Sequence, residues 1–147
     1  MLPNIMEAWY DSYFSIHHKK SNFLSELIYK GKIMFLLSKT LSEHSLEDRL
    51  RYSKGELSWC NENEAFIWKF LIENNLLFST RDKEYRSYLN HSPFSKGMTT
   101  ESPSRVAYFI GYEIVKKYMS INNDISLNEL MLQDDYMLIL NQSKYKP

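Results

Sequence analysis

The side chains in this chain that could hold a metal or move a proton are four histidines, one cysteine and eighteen carboxylates. A helical zinc site needs two histidines one turn apart, so that both imidazoles reach one ion. It also needs a glutamate beside the first as general base and a further ligand from another element. No H-E-x-x-H segment occurs. His17 and His18 are neighbours and would point about 100° apart on a helix, so they cannot share an ion as an i, i+4 pair does. Beside Lys19 and Lys20, both read as polar surface residues. His44 and His91 fall in loops with no ligand partner at metal-site spacing. Cys60 is alone, so neither an internal disulfide nor a cysteine zinc cluster can form. Between Trp59 and a polar run it reads as a buried, inert thiol. There is no Gly-rich phosphate loop and no G-x-S-x-G elbow. The expectation is no catalytic residue, no metal ligand set and no cofactor.

Among the carboxylates, Glu64 stands apart. At about 100° per residue it falls within the apolar arc of Leu57, Cys60, Trp68 and Leu71. An ionised carboxylate there must be paired, hydrogen-bonded or protonated. It is either a remnant site residue or half of a buried structural pair with Arg105, and the pair is the expectation. Glu101 is expected to assist the N-terminus of the helix that follows it, through the helix dipole. Glu113 and Lys117 have the spacing of an i, i+4 ion pair. Aromatic residues offer chemistry of another kind, that of binding. Trp9, Tyr10 and Tyr13, with Phe14, form an N-terminal cluster that could meet a partner. Tyr108 and Tyr112 could form a second patch, although core packing is expected for most rings of so apolar a helix.

The elements that must position these residues read as helices throughout. Only four glycines and four prolines occur, without an Asn-Gly or Asp-Gly hairpin turn. A short helix is expected over residues 5–16. A second covers 21–41, with Leu24, Leu27, Ile28, Gly31, Met34, Phe35 and Ser38 on one face. Gly31 and Ser38, two turns apart, offer a place for close approach by a neighbouring backbone. Ser45 caps a brief helical turn. Ser53 with Glu56 forms a capping box that opens one long helix to about residue 74. Another short helix follows Thr80 and includes Tyr85, Tyr88 and Leu89. Residues 91–101 form a loop. Ser102-Pro103 then reads as an N-cap followed by proline at the first helical position, opening a helix to about residue 121 near the centre of the bundle. Asn122 or Asn123 is expected to end it in the left-handed conformation. Ser126 with Glu129 forms a second capping box, and Asp134 or Asp135 starts a last helix through residue 141. The fold class is all-α, as a single domain over residues 1–147.

Composition narrows the function classes. With 44% apolar residues, 147 residues can bury a respectable core. Zero net charge argues against a nucleic-acid partner, which would call for a basic surplus. The N-terminal segment carries Glu7 and Asp11 and does not read as a signal peptide. The apolar runs, such as residues 33–37, are far short of a transmembrane segment. As given, the chain reads as soluble and cytoplasmic, with a protein as its partner.

One ordered series of segments carries a resemblance: WCNENEAFIW (59–68), ESPSR (101–105), FIGYEIVKKYM (109–119) and SKYKP (143–147). It resembles the C-terminal half of the gliding-motility lipoprotein GldB family, over roughly residues 22–147 and most densely from Trp59. Residues 1–20 then form a family-divergent N-terminal segment. That family is itself similar to predicted H-E-x-x-H zinc peptidases. The resemblance implies an all-helical, zincin-like subdomain from a Bacteroidetes-type envelope or gliding-motility protein. This chain departs from the pattern in having neither the zinc motif nor a lipobox cysteine. Lys30 of Lys30-Gly31-Lys32 stands where such sequences carry an acidic residue before Gly-Lys, and a protonated lysine has no lone pair for zinc. Glu26, one turn away, is the alternative ligand. The leading expectation is a non-catalytic helical module for protein–protein contacts. The alternatives are the C-terminal piece of a metallopeptidase whose zinc helix is encoded upstream, and a stand-alone cytoplasmic regulatory or immunity-like protein. A start upstream of Met1 would imply the cell envelope.

Overall fold

A computed structural model describes residues 2–90 and 95–147, and every regular element among them is helical. In chain order they are α1 (Leu2–Phe14), α2 (Phe23–Thr40), α3 (Leu46–Leu50), α4 (Lys54–Glu62), α5 (Glu64–Glu73), α6 (Asp82–Tyr85), α7 (Val106–Ile121), α8 (Leu127–Leu132) and α9 (Tyr136–Ser143). Short 3-10 turns follow α1 (Ser15–His17) and α6 (Arg86–Tyr88). The all-α expectation is met.

The core is built on α2 and α7, which pack along one another, while α9 packs against α7 and also touches α2. The central place expected for α7 is confirmed. Its Val106, Ala107, Phe109, Ile110, Ile114 and Val115 have no solvent exposure. α2 is more deeply enclosed than a one-faced helix, because Phe23, Tyr29, Ile33, Leu36 and Leu37 are buried in addition to the expected face. The two helices meet where side chains are missing. A Cβ on Gly31 would overlap the Gly111 carbonyl, and one on Gly111 would overlap the Leu27 carbonyl. The close approach read at Gly31 is therefore real, and its counterpart is Gly111.

Local sequence sets most helix starts. Both expected capping boxes form, Ser53 with Glu56 and Ser126 with Glu129, and Ser45 and Asp135 cap α3 and α9. Asn22 caps α2 in a box closed by Ser25, which sequence reading missed because serine takes the place of the usual Glu or Gln.

Four features at helix boundaries differ from expectation, the first being α1, which runs Leu2–Phe14 in place of residues 5–16. The long helix over 53–74 is broken at Asn63, whose side-chain amide donates to the Trp59 carbonyl at 2.8 Å in competition with the helix. α7 does not begin at Ser102-Pro103. The Ser102 hydroxyl donates to Thr99 O at 2.7 Å and accepts from Ser95 N–H at 3.2 Å, so it is occupied within the loop. The helix begins at Val106, after a left-handed Arg105 at φ 60°. Asn122 ends α7 but is not left-handed. At φ −111° it donates its side-chain amide to the Tyr118 carbonyl at 2.9 Å.

Candidate functional site

α1 separates its residues into two faces. Pro3, Glu7 and Tyr10 are buried, at the i, i+4, i+7 spacing of a face turned to the core. Leu2, Ile5, Trp9 and Tyr13 point outward, with Trp9 59% and Tyr13 62% exposed, and Ile16 in the turn that follows is 81% exposed. Trp9 and Tyr13 stack with centroids 6.1 Å apart. Beside them lies a groove of about 280 Å³. Trp9, Tyr10, Tyr13 and Phe14 form one wall, and Leu36, Leu127, Met131 and Asn128 form the other. No charged side chain lines it.

Two polar ties hold this helix and its exit. The first centres on Glu7. Its carboxylate lies 3.0 Å from Arg51 and 3.3 Å from Arg105. Arg105 is buried, donates to Leu50 O at 2.8 Å and lies over the Tyr108 ring at 3.8 Å. A buried guanidinium requires such partners, and the left-handed backbone at Arg105 directs it inward before α7 begins.

The second tie centres on His18. Nε2 lies 2.8 Å from Glu26 Oε1 and Nδ1 lies 2.5 Å from the Tyr136 hydroxyl. The tautomer that donates from Nε2 and accepts at Nδ1 satisfies both contacts. The ring stacks on Tyr29 at 4.0 Å, and Tyr29 donates to Asp11 at 2.7 Å. Burial and the adjacent Asp11 carboxylate push the Tyr29 hydroxyl well above its ordinary range. Burial, then Glu26, does the same for Tyr136. Neither phenol is shifted toward ionisation, and the cluster ties the exit of α1 to α2 and α9.

Several expected placements are corrected here. His18 is a nearly enclosed hydrogen-bonding centre with a side chain 9% exposed, whereas His17 is on the surface as expected. Glu64 and Arg105 are not paired: Tyr145 donates to Glu64 at 2.7 Å while Arg105 is held by Glu7. Burial, then the Glu64 carboxylate, pushes the Tyr145 hydroxyl far up. Glu101 sits in an exposed turn and α7 starts at Val106, so it is not in the first turn of that helix. Tyr10, Tyr108 and Tyr112 are buried, because α1 lies on the core and α7 is enclosed by α2 and α9. Of the candidate binding residues, Trp9 and Tyr13 face outward. Glu113 pairs with Lys116 at 3.0 Å, one residue nearer than the expected Lys117.

Cys60 is fully buried, and burial pushes its thiol up to about 12. Lys30 lies 3.9 Å from Asp11, near the Tyr29 and Tyr108 rings. Lys32 is buried, donates to the Gln133 carbonyl and is pulled down to about 8 by burial. His44 lies 4.0 Å from both Glu43 and Asp48. His91 lies outside the described residues. Among the described residues, no three His, Cys, Asp or Glu side chains converge as a metal site.

Sequence reading missed Glu7, His18 with Tyr136, and Lys32. Glu7 was signalled by its spacing from Pro3 and Tyr10. The His18–Tyr136 contact joins residues 118 positions apart and had no local signal.

The chain is thus an all-helical protein with an uncharged aromatic face and two polar ties beneath it. It belongs to the family described as the gliding motility protein GldB, matched over residues 1–147, and so is related to gliding motility. That match takes in the first twenty residues as well. No match to a curated protein or to a solved structure accompanies it. The family suggests a setting in the cell envelope, and none of the described helices is long and apolar enough to cross a membrane.

Proposed function

We propose that this chain is a non-catalytic, single-domain helical module that makes protein–protein contacts for the gliding machinery at the cell envelope. The observation carrying this reading is the outer face of α1, where Leu2, Ile5, Trp9 and Tyr13 are all more than two-fifths exposed on one helix. Isolated exposed apolar residues are ordinary, but an apolar row on one helix face, with a stacked Trp9–Tyr13 pair beside an uncharged groove, supports a contact surface. Supporting the non-catalytic part, the enclosed basic groups are engaged in holding helices together. Arg105 takes Glu7 and a carbonyl, His18 takes Glu26 and Tyr136, and Lys32 takes a carbonyl.

The test is a gliding assay with the chromosomal gene replaced by Trp9→Glu with Tyr13→Glu, against Lys69→Glu on a solvent-exposed position of α5. Loss of gliding in the first strain alone, at equal protein level, is the expected result. Wild-type gliding in both strains sinks the contact reading. Chelator-sensitive peptide hydrolysis by the purified chain, restored by zinc, sinks the non-catalytic one.

A further inference from the structure

We infer that the outer face of α1 is a two-fold interface with a second copy of this chain. This rests on the reading of α1 as a contact surface and names its occupant.

The register of the exposed row is the first reason. Its members are Leu2, Ile5, Trp9, Tyr13 and Ile16, spaced by three, four, four and three residues. At about 100° per residue, Leu2, Ile5 and Tyr13 fall within about 40° of Trp9 on α1, and Ile16 follows in the 3-10 turn at its end. The spacing is the same read in either direction, so an antiparallel copy matches it residue for residue. Trp9 then faces the partner's Trp9 at the axis, Ile5 faces the partner's Tyr13, and Leu2 faces the partner's Ile16. A two-fold contact requires one surface to complement itself, and this row does so. The small Ala8 and Ser12, both exposed, lie along one side of the row and admit the opposing ridge.

Charge is the second reason. A surface opposed to its own copy brings like charges together, and 24% of this chain is charged. The row has none. Both acidic residues of α1 lie on the opposite side: Glu7 is taken by Arg51 and Arg105, and Asp11 faces Tyr29 and Lys30. The lysines that follow are matched as well, Lys19 with Asp134 at 2.9 Å and Lys20 with Asp82 at 3.4 Å. A face without cations has little to offer an anionic lipid headgroup, which places a second copy ahead of a membrane.

The area sets the strength. Five large side chains exposing roughly 100 Å² each give about 500 Å² per copy, or about 1,000 Å² in total. That is close to the lower bound for specific association, so a reversible dimer is expected. A tryptophan at the axis is the residue type expected to dominate its energy.

The experiment is sedimentation equilibrium of the full chain from about 1 µM to about 500 µM. Wild type is expected to pass from monomer to dimer across that range. Trp9→Glu sets like charges on the axis and is expected to raise the dissociation constant at least tenfold, with the helical circular dichroism unchanged. Ile5→Lys and Tyr13→Glu are each expected to weaken association alone and to restore it when mixed, because the antiparallel register brings the two substituted positions together. A wild-type monomer throughout, a dimer indifferent to Trp9→Glu, or no rescue on mixing overturns the inference. If wild type is monomeric while Trp9→Glu with Tyr13→Glu still abolishes gliding, the contact surface stands and its occupant is another protein. Flotation of the monomer with mixed zwitterionic and anionic vesicles would instead assign the face to lipid.

Discussion

The seam between α2 and α7 and the seat of α1 are held by opposite means. At the first, Gly31 meets Gly111 backbone to backbone amid buried residues that include Leu27, Ile28, Ile110 and Ile114. At the second, Glu7 bridges two arginines, and just beyond the helix His18 joins Glu26 to Tyr136. A seam closed by missing side chains is specified by volume, and it tolerates no addition. A helix held by polar ties needs only a few residues turned inward. Its remaining face is free of structural duty and available for a partner. The contrast explains how one small helical protein can be rigid at its centre and carry an aromatic row on its outside.

The contrast can be broken first at the glycine seam. Gly111→Ala is expected to cost roughly 3 to 5 kcal/mol, since a methyl group meets backbone that cannot swing aside. Urea unfolding measures it, and a loss below about 0.5 kcal/mol would show that the helices do not meet as described. Next in size is Glu7→Gln, expected to cost about 3 kcal/mol because the buried Arg105 loses its counter-ion. Adding Arg105→Met should recover part of that loss, which a double-mutant cycle would record.

A smaller effect concerns Lys32, whose folded value near 8 lies below its ordinary 10.5 because of burial. Between those values the unfolded chain holds more protons than the folded one, so this group makes stability rise with pH through that window. Relative to Lys32→Met, the wild type should therefore gain stability as pH rises above 8. A flat difference across the window would place the amine in water. The smallest expected effect is Tyr145→Phe, which removes one hydrogen bond to Glu64 and should cost about 1 kcal/mol. A Glu64→Gln and Arg105→Met cycle should meanwhile show no coupling.

Those last variants touch the place where sequence reading went furthest astray. Glu64 and Arg105 were both singled out for sound reasons, since a carboxylate on an apolar arc and a cation in ESPSR each need a partner. Each has one, but not the other: Tyr145 serves Glu64 and Glu7 serves Arg105. Local periodicity says that a buried charge must be satisfied without saying by whom. His18 shows the same limit. Flanked by lysines it looked like surface, and only the return of α9 to the α1–α2 turn encloses it. Ser102-Pro103 failed for a different reason, because the hydroxyl that could have capped α7 is engaged by Thr99 and Ser95 in the loop. For Tyr108 and Tyr112 the reading favoured core packing, and both rings are buried, but within the cluster near Trp9 it did not separate the inward Tyr10 from the outward Trp9 and Tyr13.

What the sequence determined by itself lies within a few turns of helix. It set the all-helical class and the serine caps at Ser45, Ser53 and Ser126. These depend on neighbours at most a turn or two away, whose geometry the backbone already dictates. The tertiary structure alone decided which buried charge meets which partner and which face of α1 stays in water. Those outcomes depend on contacts between residues as far apart as His18 and Tyr136, which only the packing of helices distant in the chain brings within reach.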